Sequence, residues 1–162
     1  NNLNKYSQNL ILKKDFTFIL SLLLIDETDN CEYFFYKFNV SNQTKDRINF
    51  LKKFYINTNK KDAFSKKNLK KILYYHGITY LIDLIDFQIF KSKKENKNLV
   101  KLKKYFEELE TPKFPVKART LMQKYNIKEG KELGEKLKYL EILWVENNFK
   151  ISEQEIDNAM LR

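Results

Sequence analysis

Only three glycines and two prolines punctuate this chain of 162 residues, and that scarcity restricts its fold more than any other feature. Sheet proteins built from short strands need a turn every 8–12 residues or so, usually marked by Gly, Pro or Asn-Gly. Here long stretches carry neither residue, and no segment sustains a strict alternation of apolar and polar side chains. Apolar residues recur instead at steps of three and four. The expectation is an all-α protein, an array of about seven to nine short helices. With 43% apolar residues, the chain has enough material to bury a core.

The order of those helices can be read from caps and stripes. Asp15–Ile25, "DFTFILSLLLI", is apolar nearly all round and is expected to be buried. Cys31–Phe38 follows the polar break "DETDN". Ser41 is placed to cap "NQTKDRINFLKKFY", in which Ile48, Leu51 and Tyr55 follow helical spacing. Ser65 is placed to cap "KKNLKKILYYH", with Leu69, Ile72 and Leu73 on one face. Gly77 is expected to stop that helix at a positive φ. Ile78–Phe90 forms the next, with Asp83 and Asp86 expected on a solvated polar strip. After the connector "SKKENKN" comes an amphipathic helix at Leu99–Glu110.

Pro112 and Pro115 make "TPKFP" an extended crossing, because residues before proline avoid the helical region. The short helix "KARTLMQKY" and a long one from about Lys131 to Asn148 follow, the latter with Leu133, Leu137, Leu140 and Trp144 on one stripe. Ser152 and Glu155 spell a capping box, with Ile151 and Ile156 in the two staple positions. No internal repeat is present. The parts expected are a basic helical portion, residues 1–111, and a C-terminal portion, residues 112–162, packed as one compact unit.

The charge is uneven. Residues 1–105 carry 21 basic and 10 acidic side chains, whereas residues 106–162 carry 10 and 11. The formal net charge of +10 therefore belongs to the first two thirds, in "NKKDAFSKKNLKK" and "KSKKENKNLVKLKK". Such a balance points toward nucleic acid. Yet 28 of the 31 cations are lysine, as an AT-rich coding sequence would also produce, and lysine lacks the guanidinium fork that phosphate favours. Basicity alone carries little.

Catalytic constellations are missing. Lone Cys31 reads as a small core hydrophobe, rules out an intramolecular disulfide, and fits a reducing, cytoplasmic setting. Lone His76 cannot build a histidine metal site and is expected to be structural. The paired acids in "DETD" and "DLID" read as solvation, and no phosphate loop exists. The apolar run "FTFILSLLLI" is only ten residues, too short to span a membrane, and the polar "NNLNKYSQN" before it is not expected to open a signal peptide. The first residue is not methionine, which suggests a piece of something longer.

Phe114–Phe149, "FPVKARTLMQKYNIKEGKELGEKLKYLEILWVENNF", resembles the C-terminal signature of bacterial CCA-adding enzymes and poly(A) polymerases, particularly the alphaproteobacterial kind. Phe114 and Pro115, Leu121 and Met122, Ile127, Gly130, Gly134, Leu137, Leu140, Trp144 and Phe149 match that pattern in order and spacing. "YKFNVSNQTKDRINFLKK", "KKNLKKILYYHGITYLIDLIDF" and "ILSLLLID" are similar to earlier helices of the family, so the resemblance covers nearly the whole chain. Ala118 and Thr120 stand where the family has glycine and aspartate, and lysines replace its arginines in the paired helices. The family's catalytic head, with its Gly-Ser turn and Asp-x-Asp pair, and its Glu-Asp-x-x-Arg nucleotide template do not occur in this sequence.

What the resemblance implies is a non-catalytic, tRNA-holding fragment related to the tRNA nucleotidyltransferase C-terminal domain. The head, with Mg, ATP and CTP, would be supplied elsewhere; this chain itself would bind no cofactor. Expected partners are tRNA or other RNA and the head domain, with no membrane. The alternatives are a non-enzymatic helical protein-interaction module and, least supported by the residues, a free-standing enzyme.

Three lysine groups are candidate phosphate contacts: Lys66, Lys67, Lys70 and Lys71; Lys101, Lys103 and Lys104; and Lys117, Arg119, Lys128 and Lys131. The third surrounds Gly130 and Gly134. Gly130 is expected where positive φ favours glycine, and Gly134 where another backbone, protein or RNA, comes close. The helix start between them offers free N–H groups to a phosphate.

Overall fold

The computed structural model describes residues 8, 10–26, 28–57, 62–92 and 96–161. Glu27 of "DETD", Lys60 and Lys61 of the first basic run, and Lys93 and Lys94 of the second lie outside the described residues. The described residues form eight helices and no strand. They are α1 (Phe16–Leu24), α2 (Asn30–Lys37), α3 (Asn42–Ile56), α4 (Lys66–Lys91), α5 (Lys97–Glu107), α6 (Ala118–Tyr125), α7 (Lys131–Glu146) and α8 (Glu153–Met160). The chain divides into two compact units, Asn1–Thr111 and Pro112–Arg162. Each has its own apolar core.

Local signals set the helix ends. Ser41 Oγ accepts from the Thr44 N–H and Ser65 Oγ from the Asn68 N–H, both at 3.2 Å. Asp15 caps α1 in the same way, accepting from the Phe18 N–H at 2.9 Å. The box at α8 is complete: Ser152 Oγ accepts from the Glu155 N–H at 3.3 Å, and Glu155 returns Oε2 to the Ser152 N–H at 2.8 Å. Ile151 and Ile156 both pack on the second core, as a staple does.

Gly77 sits at φ 83°, ψ 174°, a region open in practice only to glycine, and it breaks α4 there. The break has a spatial result. Lys66 at the start of α4 reaches Tyr105 of α5, while Asp86 in the second half reaches Lys103. In a straight helix, positions twenty residues apart would lie about 30 Å from each other. Only a chain folded back at Gly77 can bring both to one turn of α5.

The first core holds Phe18, Ile48, Leu51, Leu69, Leu73, Leu81, Phe87 and Phe106. Against expectation, α1 is buried on one side alone: Phe18, Leu20 and Ser21 face inward, while Phe16 and Leu23 are 75% and 73% exposed.

A larger correction concerns Asp83 and Asp86, which are buried at 3% and 0% exposure rather than solvated. Asp83 takes Arg47 through Nε and Nη2, both at 2.5 Å, and Lys14 at 3.3 Å. Asp86 takes Lys14 at 2.7 Å and Lys103 at 2.9 Å. Arg47 also reaches Asp15 at 2.7 Å, so three cations meet three carboxylates and tie the start of α1 to α3, α4 and α5. Burial pushes the Asp83 carboxyl upward while Lys14 and Arg47 pull it back. Burial likewise opposes charge on Arg47, but Asp15 and Asp83 outweigh it and hold the guanidinium above its ordinary value. The sequence does hold a clue. "LIDLIDFQIF" is apolar all round, so its acids have no polar face on which to lie.

The second core gathers Leu121, Leu133, Leu140, Ala159 and Met160 around the α7 stripe. Trp144, buried at the end of that stripe, meets the rings of Phe114 and Phe149 at 5.4 and 4.9 Å. Phe149 itself stands at φ 63°, which is unfavourable for a bulky residue, and its N–H bonds Trp144 O at 2.8 Å.

Candidate nucleic-acid interface

The first lysine group lies where α4 begins. Helical spacing divides it into two rows, Lys66 with Lys70 and Lys67 with Lys71. Lys66 points toward α5, its Nζ 4.4 Å above the Tyr105 ring. Lys101 and Lys104 of α5 are exposed one turn apart, and Lys101 lies one turn before Tyr105 on the same side of the helix. The α4–α5 packing therefore brings the Lys66–Lys70 row beside Lys101.

Lys103 does not join them. It sits at i+4 from Leu99 and i−3 from Phe106, both buried, and its ammonium is held by Asp86 with the side chain 12% exposed. Its charge is used inside the unit. The position on the Leu99–Phe106 stripe is the sign of this in the sequence.

The second row, Lys67 and Lys71, turns to a groove of about 1280 Å³ between α3 and α4, lined on both sides of the Gly77 break. Lys53 of α3 lies across from them on the same rim. Along the wall, Phe50, His76 and Tyr80 form a ring cluster, with Phe50 at 4.7 Å from His76 and 5.1 Å from Tyr80. At the other end Phe64 packs edge-on against Phe54, and Asn68 Nδ2 donates to Ala63 O at 2.8 Å, closing the turn before α4. Burial first, and Lys53 second, lower the His76 imidazole below its ordinary value, so it is neutral at pH 7. Asp46 and Asp62 also line the rim and offset part of its charge. None of Phe50, Lys53 or Tyr80 is among the candidates from sequence. Phe50 and Phe54 form a second stripe on α3 beside the core stripe of Ile48 and Leu51, and that doubling is the signal.

In the second unit, Lys117 occupies the N-cap position of α6 and Arg119 its second residue, both exposed. Lys128 and Lys131 are exposed on the turn that opens α7, and Lys131 pairs loosely with Glu135 at 3.8 Å. Gly130 caps α7 nearly fully extended, at φ 159° and ψ −167°, without a side-chain bond to the helix N–H groups. Glu129, Glu132 and Glu135 lie close by in sequence, which weakens this end as an anion seat.

Gly134 is exposed, and a Cβ there would meet nothing within 4 Å. No neighbouring helix requires the glycine, so within the chain the close approach of another protein backbone is absent, and the position is open to an RNA backbone. Gly134→Ala is expected to stabilise the chain by about 0.5–1 kcal/mol. A rise in the urea midpoint at unchanged slope would register it; a fall would reveal a close approach that the isolated chain does not show.

Among the described residues no cluster of His, Cys, Asp and Glu could hold a metal, and no helix is long and apolar enough to cross a membrane. None of the protein-family models, curated proteins or solved structures compared with this chain matches it.

Proposed function

We propose that this chain is an RNA-holding module without catalytic groups of its own, the C-terminal part of a cytoplasmic tRNA nucleotidyltransferase of the CCA-adding or poly(A)-polymerase kind. One observation carries the RNA-binding part: α4 opens with Lys66 and Lys67 and has no acid in its first turn. A helix N-terminus bears partial positive charge, so each cation there is unfavourable by about 0.3–1 kcal/mol. The Tyr105 ring offsets this for Lys66, but among the described contacts nothing does so for Lys67. A phosphate backbone would supply the missing negative charge, with Lys70, Lys101 and Lys104 as further contacts on the α5 side and Lys71 on the groove side. Such contacts position RNA and carry no base code. The nucleotidyltransferase part rests on the motif at Phe114–Phe149, and the head with its Mg, ATP and CTP would lie outside these 162 residues.

The test is the affinity of the purified chain for tRNA across a salt series. The logarithm of the binding constant should fall linearly with the logarithm of salt, by about 0.7–0.9 per phosphate engaged. Salt-insensitive binding, or no binding of tRNA at low salt, overturns the proposal.

One feature favours the second reading, a protein-interaction module. Leu12, Phe16 and Leu23 are 85%, 75% and 73% exposed on the outer side of the first unit. A partner captured there, with no effect of added tRNA, would support it.

A further inference from the structure

We infer that the groove between α3 and α4 seats an unpaired nucleotide of the bound RNA, its base against the Phe50–Tyr80 rings and its phosphate on the lysine rim. The inference rests on the RNA-binding reading and narrows it from RNA in general to a single-stranded or splayed-out element.

Three observations converge on this occupant. First, the wall is aromatic where it could have been aliphatic. Phe50, His76 and Tyr80 sit within 4.7–5.9 Å of one another between two elements, α3 and α4. Bases stack on such rings whatever their identity, each stack adding appreciably to affinity. Second, the rim is cationic. Lys53, Lys67 and Lys71 outnumber Asp46 and Asp62, and Lys67 and Lys71 stand on α4 beside the Lys66–Lys70 row. An RNA strand lying along the start of α4 could leave one nucleotide in the groove. Third, His76 lies among the rings, 4.7 Å from Phe50 and 5.9 Å from Tyr80, and as a neutral imidazole it offers a base edge one N–H and one acceptor nitrogen.

Duplex RNA fits this site poorly. Its bases are stacked on each other, and its wide shallow groove presents sugars and phosphates rather than ring faces. An acidic peptide would satisfy the lysines but leave the ring wall unused.

The experiment compares a short oligoadenylate with a blunt RNA duplex, both fluorescently labelled, on the full chain and two variants. Tyr80→Ser removes one stacking face at a half-buried position. Phe50→Leu keeps apolar volume for the core while removing the other. Loss of one stack is expected to weaken oligoadenylate binding about 5- to 150-fold, with duplex affinity and its salt slope unchanged. Thermal unfolding of each variant identifies any that is not folded; Tyr80→Ser then decides by itself. Equal loss on both RNAs, or none on either, overturns the inference. So does displacement of the oligoadenylate by an oligoglutamate peptide that binds more tightly. Failure of the unsubstituted chain to bind either RNA would instead remove the proposed function itself.

Discussion

Asp86→Asn is expected to destabilise the chain by about 3–5 kcal/mol. The asparagine fits the space, so packing is hardly disturbed; what changes is the charge. Asp86 is fully buried, and Lys14 and Lys103 approach it at 2.7 and 2.9 Å with side chains only 11% and 12% exposed. Neutralising it leaves two ammoniums deep in the unit with too little negative charge. Lys14 keeps Asp83 at 3.3 Å, but Lys103 is left with Glu107 alone, at 3.9 Å and half exposed. The penalty is that of an unpaired buried ion, and it is larger than the net worth of the pair. A paired replacement separates the two. Asp86→Leu with Lys103→Leu removes carboxylate and ammonium together and should recover much of the stability, because well-packed apolar groups often do as well as a buried ion pair. Urea unfolding of both variants measures this. An Asp86→Asn chain within about 1 kcal/mol of the parent would mean the cluster behaves like a surface pair, and the register it imposes on α1, α3, α4 and α5 would need another source.

Reversing Lys66, Lys67, Lys70 and Lys71 to glutamate together should weaken tRNA binding by about 100-fold or more at low salt. The log–log salt slope should flatten by about one unit for each phosphate no longer engaged. The same change should not unfold the chain. Lys66 and Lys67 occupy the first turn of α4, where acids suit the helix macrodipole and lysines do not. The quadruple variant is thus expected to hold or slightly gain thermal stability while its RNA affinity drops. That opposition is informative because a general defect would lower both. The reversal also removes the cation–π interaction of Lys66 with Tyr105, a debit smaller than the helix-end gain from two reversals. If tRNA affinity and slope survive the reversal, the start of α4 is not the surface that meets RNA.

Both predictions turn on features of unequal legibility. The helices, the caps at Ser41, Ser65 and Ser152, the break at Gly77 and the α7 stripe are all readable in the residues, and so is the basic tract at the start of α4. The burial of Asp83 and Asp86 is not, because their partners, Lys14, Arg47 and Lys103, lie 17 to 72 positions away along the chain. Helix α5 also ends at Glu107, three residues before the expected Glu110, and begins earlier because Asn96 caps it by accepting from the Asn98 and Leu99 N–H groups. At the candidate site, clustering along the chain reveals the lysines, but it also groups Lys103 with outward neighbours although its helical position is inward. The rings of the groove come from two different helices. No spacing along one segment announces that Phe50 will meet Tyr80.

Where each helix begins, bends and stops is already written in the order of residues. Caps, a glycine at positive φ and i,i+4 stripes act within one or two turns of backbone, so the residues that set them are near neighbours. Which charges are buried and paired, which side of α1 meets the core, and that an aromatic wall faces a lysine rim emerge at the level of packing. Those outcomes depend on which helix faces are brought together after Gly77 turns the chain back, and the energies involved belong to pairs of residues that no local pattern connects.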